Sequence, residues 1–299
     1  MIPAAEMEPV YRAEATRWRE GLAWETAATW ELVEQSRQRG LVPGFVARDA
    51  GGAICGWSFH LRHRDTLQIG AVCAATADVT AALVGAVLDS TEARTTSHAM
   101  AFTLAGAPDL AACFAARGFA VGTYRYLQQP LSRLDRLSDS GVRQAPVHLL
   151  RTWRSDDAPA IARLLAAAYE TVDPLRPFGG EGRAEDWSEY LAQLITETGC
   201  GRFCPQRSLV AAGPKGNLDG AALVTDLGAG TAHLAQLVVA PPVHGTGLGR
   251  RLLREVMVDA SRAGFERMSL LVSEQNAAAR SLYARSGFEE SAVFFTAAA

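Results

Sequence analysis

The sequence predicts a mixed α/β (α+β) layer protein made of two similar halves, and three observations carry that reading. At 299 residues the chain has the length of two domains of about 150 residues each. Alternating apolar stretches with the period of a strand are interleaved with stretches that have the period of a helix. The order of these elements occurs twice along the chain. With 48% hydrophobic and 20% charged residues there is material for one or two packed cores, and both disorder and a coiled coil are excluded.

In the first half a helix is expected over Ala13–Arg39, closed by Gly40, because apolar and polar residues alternate at helical spacing up to a glycine. Strands follow at Gly44–Arg48, Ala53–Leu61 and Thr66–Val72, with Asp49–Gly52 as the turn between the first two. A helix near Val79–Thr91, a strand near His98–Leu104, a helix over Pro108–Arg117 and a strand over Phe119–Gln128 complete it. Leu131–Pro146 is polar, mixed in charge and contains Ser-Asp-Ser-Gly, so it reads as a linker between domains 1–135 and 147–299.

The second half begins with a short strand, His148–Trp153, and a helix over Asp157–Glu170 that opens on Asp-Asp. A loop rich in Gly and Pro, Thr171–Gly182, leads to a helix near Ala184–Thr198. Strands are expected at Ser208–Ala212, Gly220–Asp226 and Thr231–Val239. A glycine cluster then opens a long helix to about Ala263, followed by a strand at Met268–Val272, a helix at Ala277–Ser286 and a last strand at Phe288–Phe295.

The net charge of -3 gives no general attraction to nucleic acid or to an anionic membrane. Of the 29 basic residues only Lys215 is not Arg, a bias of composition rather than of surface. No apolar run approaches the roughly 18–20 residues of a membrane span, and residues 1–20 are too polar for a secretory signal. Five scattered Cys argue against a disulfide framework, and a reducing, cytoplasmic setting fits them best. Cys200 and Cys204 form a C-x3-C without a second Cys/His pair nearby, so two ordinary thiols are preferred to a zinc site, and no metal is expected.

The most informative stretch runs from Leu237, Val238 and Val239 through Ala240-Pro241-Pro242-Val243 to His244-Gly245-Thr246-Gly247-Leu248-Gly249-Arg250. A strand enters three alternating glycines, and a helix begins at once. Glycines there allow tight turning and close backbone approach, and the first helical turn leaves N–H groups and partial positive charge facing outwards. Such a nest suits a pyrophosphate, with Arg250 and Arg251 beside it; a glycine-rich turn without a ligand is the plainer alternative. No Lys-Ser/Thr follows the last glycine, as a Walker loop requires, and the spacing is not G-x-G-x-x-G.

The stretch resembles the acyl-CoA pyrophosphate loop of the GNAT N-acetyltransferase superfamily, Arg/Gln-x-x-Gly-x-Gly/Ala, with His244 standing where the family has Arg or Gln. A second block, from Asn276 through Ala279 and Tyr283 to Gly287-Phe288, resembles the family's N-x-x-A-x-x-x-Y-x-x-x-G-F. Asn276 can cap a helix and still reach the pantetheine arm. Ala279 is small enough for a cofactor to lie close, and Tyr283 shares a helix face with Asn276. Gly287 suits the helix end. Taken alone, Tyr283 would be an ordinary half-buried aromatic.

The resemblance covers about Val147–Ala299 and implies a GNAT fold in that half: a mixed, mostly antiparallel splayed sheet flanked by helices. It implies acetyl-CoA lying between the strand ending at Val239 and the strand at Met268–Val272, and direct attack of a primary amine of a small molecule or peptide on the thioester. Tyr283 would be the acid for the leaving thiolate, and the N–H of Val238 or Val239 the oxyanion donor. In one branch of the family a Glu lies eleven residues before the loop; here that position is His233. A base at His233, a water relay, or Gln236, Asp226 or Glu274 in its place all stay open. Tyr169, Asp173, Arg176, Phe178, Trp187 and Tyr190 are expected near the acceptor. A non-catalytic CoA-sensing or protein-binding module, and an O-acyltransferase or decarboxylase, are the rival readings.

The first half ends a helix with Phe114-Ala115-Ala116-Arg117-Gly118-Phe119, much like Tyr283–Phe288, at an offset of 169 residues from Gly118 to Gly287. On that offset Ala107 meets Asn276 and Phe114 meets Tyr283; Ala75, Thr76, Asp78 and Thr80 meet His244, Gly245, Gly247 and Gly249. The first half thus reads as a degenerate GNAT-like copy that does not bind CoA. It would shape the acceptor site, clamp the catalytic half, or serve as the face of a homodimer. Trp18, Trp24 and Trp30, at six-residue steps, would form a packing surface, more as core than as ligand platform.

Overall fold

Strand-period and helix-period segments lay the chain down in two passes over one sheet. The computed structural model describes residues 2–136, 148–169, 177–197, 199–214 and 216–299. The first pass comprises α1 (Ala4–Leu22), α2 (Ala27–Gln38), β1 (Gly44–Arg48), β2 (Ile54–His63), β3 (Thr66–Ala74), α3 (Ala77–Leu88), α4 (Thr91–Arg94), β4 (His98–Leu104), α5 (Leu110–Ala115) and β5 (Ala120–Pro130). The second comprises β6 (Leu149–Thr152), α6 (Ala158–Tyr169), α7 (Ala184–Thr196), β7 (Arg202–Phe203), β8 (Leu209–Ala212) and β9 (Leu218–Asp226). It continues with β10 (Thr231–Val239), α8 (Leu248–Arg262), β11 (Arg267–Ser273), α9 (Ala277–Arg285) and β12 (Glu289–Ala298).

The sheet runs β1-β2-β3-β4-β12-β5-β11-β10-β9-β8-β6, with β7 beside β9. Among the described strands, β3·β4 and β10·β11 pair parallel and the rest pair antiparallel. The order shows an exchange that periodicity does not contain. β5, from the first pass, lies against β11, while β12, from the second, lies against β4. Each half therefore borrows the other's last strand. The central ladder β12·β5·β11 comes from both sides of residues 137–147.

The two passes carry the same irregularity. β3 and β4 pair over four residues, Thr66↔His98 to Ile69↔Ala101, and then part; β10 and β11 pair over Thr231↔Arg267 to Leu234↔Leu270, and then part. Just beyond, each leading strand inserts one unpaired residue against its other neighbour, Gly70 in β3 and Ala235 in β10. Such a bulge bends the strand and leaves its far edge without a partner, which opens a V-shaped gap.

Helices α3 and α5 bury Leu83, Val84, Leu110 and Phe114 against one face of the first half, and α1 and α2 bury Met7, Tyr11 and Trp30 against the other. In the second half α8 and α9 cover one face with Leu252, Val256 and Tyr283, and α6 and α7 cover the other with Ile161, Trp187 and Leu191. An aromatic cluster of Trp24, Tyr124, Tyr126 and Phe294 joins the halves.

Three expectations are corrected. The helix over Ala13–Arg39 is two helices, because Ala23 takes φ 50° and turns the chain; Trp24 lies in that turn, and both it and Trp30 are buried within the chain. Leu131–Arg136 is not open linker but a 3-10 turn, since Leu131 is buried and its N–H donates to Glu266 O; residues 137–147 lie outside the described residues. Thr76 does not stand opposite Gly245. It caps α3, as Gly247 begins α8, and only two residues join β3 to α3 where eight join β10 to α8. The first half's connection is six residues too short to hold a glycine loop like that of the second.

Candidate functional site

The second splay and the start of α8 bring most of the expected residues together. Beyond Ala235, Gln236–Val239 pair only with β9, so the β11 side of that stretch has no strand partner. The loop then makes a 3-10 turn at Pro241–Val243 and reverses through Gly245 (φ 75°) and Gly247 (φ 92°). No atom lies within 4 Å of where a Cβ would stand at either glycine; it is backbone conformation that requires glycine there. Gly249 has an ordinary helical position in the first turn, with Val239 and Leu282 as its neighbours.

α8 begins at Leu248 without a side-chain cap, so Leu248, Gly249 and the exposed Arg250 present a helix N-terminus open to an anion. His244 replaces the family's Arg or Gln by another kind of contact. Its Nε2–H donates to Val239 O at 2.8 Å and ties the loop to the end of β10. Thr246 Oγ donates to Val243 O at 2.8 Å and tightens the same turn. Arg251 points elsewhere, its Nη1 donating to His148 O at 3.1 Å.

On the far side of the gap, Asn276 Oδ1 accepts from Ala279 N at 3.1 Å and caps α9. Ala279 packs against the core below, where Tyr283 is buried. The helix ends as the sequence suggests: Gly287 takes φ 83° and Phe288 N donates to Tyr283 O. Burial, with the Tyr169 phenol second, pushes the Tyr283 hydroxyl well above the usual tyrosine range and keeps it protonated.

His233 is 2% exposed. Its Nδ1 lies 2.9 Å from Ser269 Oγ, and its ring stacks on Tyr126 and tilts against Trp24, centroids 6.2 and 5.7 Å apart. Burial lowers its pKa to about 3, so the ring is neutral and the imidazolium is disfavoured. The other candidate bases are engaged. Asp226 pairs with Arg202 at 2.9 Å and Glu274 with Arg125 at 2.7 Å.

Gln236 joins two phenols: Tyr169 Oη donates to its Oε1 at 3.2 Å, and its Nε2 donates to Tyr190 Oη at 2.8 Å. Phe178 stacks on Tyr190, and Trp187 meets both Tyr169 and Tyr190. Of the expected acceptor residues, Asp173 and Arg176 lie outside the described residues.

Sequence spacing did not show which residues of the first half reach the second. The turn after α1 is held by Glu25 N donating to Leu227 O at 2.8 Å, and by Leu22 O accepting from Tyr126 Oη at 3.1 Å and from Gln128 Nε2 at 2.5 Å; it lays Trp24 on His233. The β2–β3 hairpin reaches α7, where Glu189 accepts from His63 at 3.1 Å and from Arg64 at 2.8 Å, one residue from Tyr190. No local signal in residues 22–64 refers to partners so distant. No helix of the described residues is long and apolar enough to cross a membrane.

Residues 161–288 match the sequence profile of the Acetyltransferase (GNAT) family. Among solved structures, a GCN5-related N-acetyltransferase from Sphaerobacter thermophilus superposes at TM-score 0.59 with 17% identity, over 86% of this chain and 80% of that one. A tandem GNAT protein from the clavulanic acid biosynthesis pathway also gives 0.59, with 19% identity over 86% and 82%. A GCN5-related N-acetyltransferase from Kribbella flavida gives 0.50, with 14% identity over 89% and 93%. At these identities the structures speak for the fold, and the profile speaks for the second half. The chain has a tandem GNAT-type fold, and its residues 161–288 are a domain of the GNAT acetyltransferase family.

Proposed function

We propose that the second half binds acetyl-CoA and transfers its acetyl group to a primary amine of a small molecule or peptide. The observation that carries this is the unpaired edge of β10 beyond Ala235, which leads through the glycine loop to the uncapped start of α8. An extended amide-bearing arm can pair with Leu237–Val239 while a pyrophosphate rests on the N–H groups of Gly245–Arg250. Ala279 leaves room on the opposite wall, and the Asn276 amide N–H groups, which the α9 cap does not use, bind the arm. The N–H of Val238 or Val239 stabilises the oxyanion formed as the amine attacks. The Tyr283 phenol, held protonated by burial, donates to the departing sulfur.

For the base, the cost of an imidazolium between Trp24 and Tyr126 argues for His233 as a positioning residue of the cleft wall. The ammonium then loses its proton to water on the open side of the gap. Gln236 and its two tyrosines stand at the acceptor end, where their hydroxyl and amide groups can orient a polar amine.

Calorimetric titration with acetyl-CoA tests the assignment. One site per chain is expected, lost in Gly247→Asp, because an aspartate at φ 92° is strained and repels a pyrophosphate. Two sites, or affinity that survives the substitution, would refute it.

A further inference from the structure

The first half keeps a gap of its own. Where β3 and β4 part beyond Ile69↔Ala101, a cavity of about 470 Å³ opens between α1 and the ends of β2 and β3, a size that suits a small organic ligand. Val10, Ala13, Ile54 and Trp57 give it mainly apolar walls. Two charged side chains of α1 reach into it, Glu14 and Arg17.

Their roles differ. Glu14 is 8% exposed, and its Oε1 accepts from Arg17 Nη2 at 2.5 Å and from Trp18 Nε1 at 2.7 Å. Both bonds fall on one oxygen of the carboxylate, whose charge is paired with that of Arg17. The Arg17 Nε–H is buried and has no partner among the described residues. A buried donor without an acceptor is costly unless something supplies one. The backbone also makes way for this guanidinium, since a Cβ at Gly106 would stand 1.8 Å from Arg17 Nη1.

A nucleotide is not what this gap accommodates. The loop that would take a pyrophosphate is missing, and the Thr76 hydroxyl already caps α3 by accepting from Val79 N. Cys73 offers no covalent anchor, because burial pushes its thiol far above the usual range. An ammonium would meet the Arg17 charge, and the Glu14 charge is already paired with that guanidinium.

We propose that this first gap binds a small molecule with an apolar body and a carboxylate head, the carboxylate accepting from Arg17 and the body lying against Trp57. A charge-assisted bond to the open donors of the guanidinium would complete the polar set that Glu14 and Gly106 arrange.

Fluorine NMR of the full chain with 4-fluorophenylacetate tests this, with 4-fluorophenethylamine as the control of opposite charge. Saturable binding at one site is expected for the acid, with the amine weaker. Arg17→Met should weaken the acid about tenfold or more. Ala13→Trp, which fills the cavity from an exposed helix position, should abolish binding without touching the core. Saturating CoA should leave the bound fraction unchanged. Equal or tighter binding of the amine, indifference to both substitutions, displacement by CoA, or no saturable binding would each overturn the proposal. Because the readout involves no acetyl transfer, it stands or falls apart from the catalytic assignment of the second half.

Discussion

The buried His233 makes a quantitative prediction about pH. In the unfolded chain its imidazole titrates near 6.5; in the folded chain burial holds the pKa at about 3. Above pH 6.5 both states are neutral, and the buried ring contributes its full share of stability. As the pH falls below 6.5 the unfolded state binds a proton that the folded state refuses, so stability is lost progressively until about pH 3. Between pH 8 and pH 5 this amounts to about 2 kcal/mol, at 1.36 kcal/mol per pH unit below 6.5. His60, whose pKa burial also lowers, adds to the loss in the same direction. The comparison that isolates His233 is therefore with His233→Gln, whose amide still reaches Ser269 and does not titrate. Urea unfolding of both proteins at pH 8, 6.5 and 5 should show the wild type losing about 2 kcal/mol more than the variant. Parallel losses would mean that the ring is protonated without penalty, and the aromatic enclosure by Trp24 and Tyr126 would no longer argue against a base at this position.

Further outcomes follow from the same geometry. Tyr283→Phe should lower turnover with little change in acetyl-CoA affinity, measured by release of free CoA; an unchanged rate would remove Tyr283 as the proton donor. Trp24→Ala empties a buried site that both halves share, so it should cost about 3–5 kcal/mol of stability and raise the acceptor KM while CoA affinity holds. Glu189→Gln cuts an ion pair between the hairpin and α7 that is partly exposed, so its effect on stability should stay below about 1 kcal/mol. Glycines introduced at Thr76, Asp78 and Thr80 should create no second CoA site, because that connection is six residues shorter than its counterpart.

Much of the second half was legible because its signals are local. β10 falls at Thr231–Val239 as its alternation predicts, and α9 starts after an Asn cap and ends before a glycine with positive φ. Gly245 and Gly247 reveal their conformation by being glycine. The first half was harder to read. Its helices break at Ala23, a residue that gives no sign of a left-handed turn, and the shorter connection between β3 and α3 misaligns any comparison made by counting. β7, two residues long, is too short to show a period.

The sequence by itself determined most element types, the glycine loop before α8 and the helix that carries Tyr283, since each depends on backbone preferences within a few residues. Tertiary structure alone decided that β5 and β12 change places, that Trp24 and Tyr126 enclose His233, and that a second gap beside Arg17 survives without a phosphate loop. These depend on contacts between residues from about thirty to about two hundred positions apart, fixed by the burial of whole strand faces rather than by any local preference.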